Sequence, residues 1–150
     1  LIADRPEKNS KKKEARHEKL REKLKDRFCE LPCKEVENLL SPEVLRKILI
    51  EYGEDQNKIP LFKYEDYKDE PLGEYLNTIV GKDRKRNYAT GNSISGKVKF
   101  CNIALKNINK WDDLSEEAKL VTKQIFNFIR SHNQSLQAKG KKAENSSSNN

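Results

Sequence analysis

The large apolar side chains of this 150-residue chain are segregated, and that segregation limits how much of it can fold around a core. Leu, Ile, Val and Phe crowd residues 31–131, whereas residues 1–30 and 132–150 hold few of them. Charged residues make up 37% of the chain and hydrophobic residues 34%, a balance too polar for a uniformly globular protein. Together these features imply one core-forming domain of roughly 100 residues, a size that folds alone. The expected organisation is disorder over 1–10, a charged helical extension over 11–30, a helical domain over 31–131 and a disordered tail over 132–150.

Within the central region the apolar spacing is helical. In "SPEVLRKILIEYG", Ser41 is placed to cap, Pro42 fits the first helical position and Gly53 suits the left-handed position beyond the end. Val44, Leu45, Ile48, Leu49 and Tyr52 then share one face. "PLGEYLNTIVG" is bracketed in the same way and buries Leu72, Leu76, Ile79 and Tyr75. A short helix before these places Val36, Leu39 and Leu40 together. In "VKFCNIALKNIN" the residues Cys101, Ala104, Leu105 and Ile108 suit a helix, while Val98 and Phe100 alternate with lysines as a strand would. In the last helix, starting near Ser115, Ala118, Val121, Ile125, Phe128 and Ile129 make one stripe, widened by Leu120 and Phe126. Upstream, Leu20, Leu24 and Phe28 form a narrow stripe on a helix otherwise covered in charge, until Pro32 interrupts it. The fold class expected is all-α: a small orthogonal bundle of five or six helices with a charged N-terminal helical extension, and a possible minor β-hairpin near 97–101.

"GNSISGKV", residues 91–98, spells Gly, four residues, Gly, Lys, the skeleton of a phosphate-cradling loop. Such a cradle needs a buried strand to deliver it, a helix beginning at the Lys, and a hydroxyl on the next residue to hold magnesium. Here the next residue is Val98, and the segment before the loop, "KDRKRNYAT", is too polar for a core strand. The chain also lacks the alternating strands and helices of a parallel sheet. The pattern is therefore read as part of a flexible basic loop. Lys82, Arg84, Lys85, Arg86, Lys97 and Lys99 set six cations against one acid, Asp83, and Lys106 and Lys110 extend the excess. Gly91 and Gly96 permit close approach of backbone to phosphate, and Tyr88 is placed to stack on a base. The competing readings are a solvated connector, or a nuclear-import signal in "KDRKRN".

The net charge of +7 favours anionic partners. Residues 51–70 carry a net charge of −4 from seven acids and three lysines. They are read as a surface that orients nucleic acid by repulsion, docks a basic partner, or folds against the basic loop. Cys29 and Cys33 make one isolated pair with Pro32 between them, short of the two pairs a structural zinc site uses, so no metal is expected. Three cysteines form no disulfide framework, which suits a reducing compartment. Absence of Met throughout reads as a segment of a longer protein. Neither a membrane-spanning run nor a secretory leader is legible. Trp111 is expected to pack where the last helix begins, or, if exposed, to mark an interface.

These features point to a non-enzymatic nuclear binding module, with the cytoplasm as the other setting. It would contact DNA or RNA phosphates through Lys82, Arg84, Lys85, Arg86, Tyr88, Lys97, Lys99 and Lys106, without cofactor or small-molecule substrate. The alternative is a helical protein–protein interaction domain holding a partner peptide in an apolar groove.

Overall fold

The computed structural model describes residues 1–6 and 10–147, with side chains as far as residue 134. The chain is mostly helical with only short strands. Five α-helices run through the described residues: α1 Lys11–Leu24, α2 Pro42–Glu51, α3 Leu72–Val80, α4 Lys97–Asn107 and α5 Glu116–Ser147. Two minimal strand pairs accompany them. β1 (Ile2–Ala3) runs parallel to β2 (Cys29–Glu30), and β3 (Ala89–Thr90) antiparallel to β4 (Ser93–Ile94).

The core forms where the punctuation is strongest. Ser41 Oγ accepts the Val44 amide at 3.3 Å, Pro42 opens α2, and Gly53 follows it at φ +93°. Val44, Leu45, Ile48 and Leu49 are all fully buried. Each such side chain contributes about 1.5–3 kcal/mol relative to exposure. This face packs on α4, which contributes Phe100, Ile103 and Ala104. Residues 97–101, where a hairpin was the competing expectation, are thus the first turns of a helix. The alternation of Val98 and Phe100 is real, but Val98 is left exposed and only Phe100 is buried. Leu105, assigned to the packed face, is exposed as well.

The segment Val36–Leu39 inverts the apolar rule. It forms a 3-10 turn in which Glu37 and Asn38 are buried while Val36 is exposed. Asn38 is fully enclosed because its side chain is used up: Nδ2 donates to the carbonyls of Tyr67 at 2.5 Å and Glu70 at 3.1 Å, and Oδ1 accepts the Glu35 amide. A buried amide satisfied in this way acts as a clamp between chain segments. Around it Phe62, Tyr64, Tyr67 and Tyr75 contact one another through edge-on and tilted rings 5.5–6.0 Å apart. The start of α5 is tied to the same region, since Ser41 Oγ donates to Asp113 O and Ser115 Oγ to Leu39 O.

Both end segments carry regular backbone structure among the described residues. Residues 1–6 are docked through the β1–β2 pair and through Arg5, which bonds Pro32 O and meets Asp69. The α5 backbone continues past residue 131 to Ser147. The expectation of disorder over 1–10 and 132–150 also covers residues 7–9 and 148–150, which lie outside the described residues. Trp111 does not settle into the core. It sits in the turn Trp111–Asp113 with 47% of its surface exposed.

α3 carries the contact that positions the basic segment. A Cβ on Gly73 would stand 2.6 Å from the Tyr88 carbonyl oxygen and 2.8 Å from the Ala89 Cα, so only glycine lets β3 lie on the helix. One turn later, Asn77 Oδ1 accepts the Tyr88 amide at 2.8 Å. Helix propensity alone predicts that Gly73→Ala gains about 1 kcal/mol, whereas forced overpacking costs about 1–3 kcal/mol. Net destabilisation in urea unfolding is the expected outcome, and a gain would show that β3 can shift aside.

Candidate nucleic-acid interface

The loop from Gly81 to Gly96 is folded against the body. Its centre is the β3–β4 hairpin, joined by a two-residue turn with Gly91 at φ +57° in the first position, the conformation such hairpins require. The sequence carried this signal in Gly91–Asn92, but two-residue strands show no alternation that would have marked them. Tyr88 is 1% exposed, and its hydroxyl donates to Glu54 Oε1 at 2.7 Å. That carboxylate oxygen also accepts the Lys85 amide at 2.9 Å. Burial and the bond to Glu54 raise the Tyr88 pKa. Its ring is an anchor of the loop, and the expectation that it stacks on a base does not fit that placement.

The cations divide by what they touch. Arg84 donates to Gly81 O and is half-buried. Arg86 lies with its guanidinium 4.3 Å from the centre of the Tyr52 ring and donates to Ser95 O at 3.0 Å. Lys99 approaches the same ring at 5.5 Å. Lys97 meets Glu37 Oε1 at 2.5 Å, and that hydrogen bond holds its ammonium more firmly protonated. Lys82, Lys85, Lys99 and Lys106 are exposed. The segment is therefore not a mobile loop held away from the body: two acids of the fold, Glu54 and Glu37, pin its two ends.

The structure brings Arg86, Lys97 and Lys99 together around the start of α4. Its N-cap is Gly96, at φ +65°, which has no side chain to accept the first-turn amides. Arg86 Nη2 lies close enough that a Cβ on Gly96 would approach it to 3.2 Å. Lys106 lies further along the same helix. Lys82 and Lys85 belong to the stretch before the hairpin, and Lys85 borders a small cavity of about 100 Å³ lined also by Glu54, Asp55, Lys58 and Asp83.

A helix does begin at Lys97, as a nucleotide cradle demands, yet the remaining parts differ. The four residues between the glycines fold back as a turn and strand, Val98 offers no hydroxyl, and the lysine is engaged by Glu37. Chemistry elsewhere is muted. Burial pushes the Cys33 thiol up to about 11, and its Sγ donates to Glu35 O. Among the described residues no group of three or more His, Cys, Asp or Glu is placed to hold a metal ion, and no helix is long and apolar enough to cross a membrane. No family model matches the chain, and neither a curated protein nor a solved structure matches it.

Sequence reasoning missed Glu35 and Glu37, because a charged turn normally faces solvent. Glu37 is 4% exposed; Lys97 meets its Oε1, while Oε2 has no hydrogen-bond donor. Burial, then repulsion from Glu37, raises the Glu35 pKa, with Lys97 opposing. A carboxyl whose folded-state pKa lies above its unfolded value supports the fold at low pH and loses that contribution as pH rises through the raised value. Glu35→Gln is therefore expected to raise the melting temperature at neutral pH, with the gain shrinking as pH falls through the raised folded-state value and gone below the unfolded value of about 4.3. Thermal melts across that range check the sign.

Proposed function

We propose that the protein is a non-enzymatic module that binds DNA or RNA through phosphate contacts at the start of α4, in a nuclear setting. The scaffold is read as an orthogonal helical bundle. One observation carries the proposal: Arg86, Lys97 and Lys99 converge on a helix N-terminus whose cap is a glycine. Helix N-termini favour anions because their amides point outward and the helix dipole is positive there. The pinned lysine still adds field, and the ring of Tyr52 holds Arg86 in place without neutralising it. Lys82, Lys85 and Lys106 are exposed cations that extend the surface. Most contacts of this kind go to the sugar-phosphate backbone and carry little sequence information.

Gel shifts with duplex DNA, single-stranded DNA and RNA, each across a salt series, test the reading and distinguish its ligands. Retardation at low salt is expected for at least one of them, with affinity falling steeply as salt rises. Lys99→Gln should flatten the slope of log affinity against log salt by about 1. Reversing Lys85 and Lys99 together to Glu should abolish binding while leaving the circular dichroism spectrum unchanged. No retardation of any nucleic acid by the parent chain, or an unaltered slope in Lys99→Gln, overturns the proposal.

A further inference from the structure

The contact that restrains Lys97 is lopsided. Its Nζ lies 2.5 Å from Glu37 Oε1, yet 54% of the lysine side chain faces solvent against 2% of the glutamate's. An anion can approach the ammonium from outside, whereas the carboxylate cannot follow it out. Glu37 Oε2 has no hydrogen-bond donor, and neither has the buried Oε2 of Glu35. The groups around the pair are mostly acidic. Asp4 from the N-terminal segment and Glu35, just before the turn that holds Glu37, both add negative field at Lys97. Lys34 is the further cation near Glu35, and the Cys101 thiol, one turn along α4, lies in the field of Glu37.

A carboxylate enclosed by protein stays ionised only while something offsets the water it has lost. For Glu37 that partner is Lys97. A phosphate that drew the ammonium away would strand the charge inside, and a stranded buried carboxylate favours its neutral form and takes up a proton. We infer that Glu37 is a proton-operated brake on the α4 surface: ionised, it withholds Lys97 from nucleic-acid phosphate, and protonated, it releases the lysine to bind. The inference rests on the reading of α4 as a phosphate site and supplies that site's regulation. Proton uptake and ligand binding are then linked, and each favours the other to the same degree. The complex holds more protons than the free protein, so affinity rises as pH falls, by up to about tenfold per pH unit for one proton. A merely structural ion pair would keep Lys97 in place when the ligand arrives, and would show none of this.

Fluorescence polarisation of the full chain with dye-labelled duplex DNA, single-stranded DNA and RNA at fixed salt is the test. From about pH 7.5 down to about pH 5.5, the parent's affinity for the nucleic acid it holds is expected to rise about tenfold. Glu37→Gln should bind about threefold to tenfold more tightly at the upper pH and lose most of the pH dependence. Its slope of log affinity against log salt should steepen by about 1, because Lys97 joins the phosphate contacts. Histidines titrate in both proteins and drop out of the comparison. Adding Lys97→Gln to Glu37→Gln should erase the gain with the circular dichroism spectrum unchanged, which ties the effect to the lysine. The parent's pH series needs no substitution, so a flat series overturns the inference even where a variant folds poorly. Unchanged or weaker binding by folded Glu37→Gln overturns it as well, as does a gain that persists without Lys97. If the parent is retarded in gel shifts and Lys99→Gln flattens its salt slope, these results sink the brake alone. Absence of any retardation by the parent sinks both readings.

Discussion

The absence of a side chain at Gly73 is the constraint on which the basic surface depends. Tyr88 and Ala89 can lie on α3 only because nothing projects there, and once they do, the rest of the segment has little freedom. Asn77 takes the Tyr88 amide, Glu54 takes the Tyr88 hydroxyl, and the hairpin turns back so that Gly96 arrives at the start of α4. Arg86 and Lys99 then share one ring because the end of α2, the basic segment and the first turn of α4 meet at Tyr52. A stretch that looks from its composition like a solvated tether is thereby converted into a shaped surface.

That conversion explains which parts of the molecule were legible in the sequence. α2 was readable to the residue, because Ser41, Pro42 and Gly53 state where it starts and stops and its apolar residues keep one spacing throughout. α3 was readable for the same reason, although its glycine gave no sign of the contact it makes. The choice between helix and strand for residues 97–101 set the helical spacing of Cys101, Ala104, Leu105 and Ile108 against the alternation of Val98 and Phe100, and packing against α2 decided it. Local pattern held no information on that point.

What stayed hidden were groups whose surroundings come from far along the chain. Asn38 is enclosed by carbonyls about 30 residues away, Tyr88 by a carboxylate 34 residues before it, and Glu37 by a lysine 60 residues beyond it. Each is a polar residue in a segment that reads as surface, made tolerable inside by a partner that only the fold supplies. Trp111 is the converse, a large ring left half in solvent although its type suggests the core. Burial of apolar helix faces follows from spacing. Burial of polar groups follows from tertiary neighbours, and the features nearest the candidate site are of the second kind.

The shared ring of Tyr52 has one more consequence. Two like charges gathered at a single aromatic ring, 4.3 and 5.5 Å from its centre, lie within about one Debye length of each other, near 10 Å, so salt screens their repulsion only in part. The ring's negative face offsets some of that cost and holds Arg86 and Lys99 in place before any ligand arrives. The two cations are therefore positioned by the fold itself, and their mutual repulsion is a cost that the ring offsets within the folded protein.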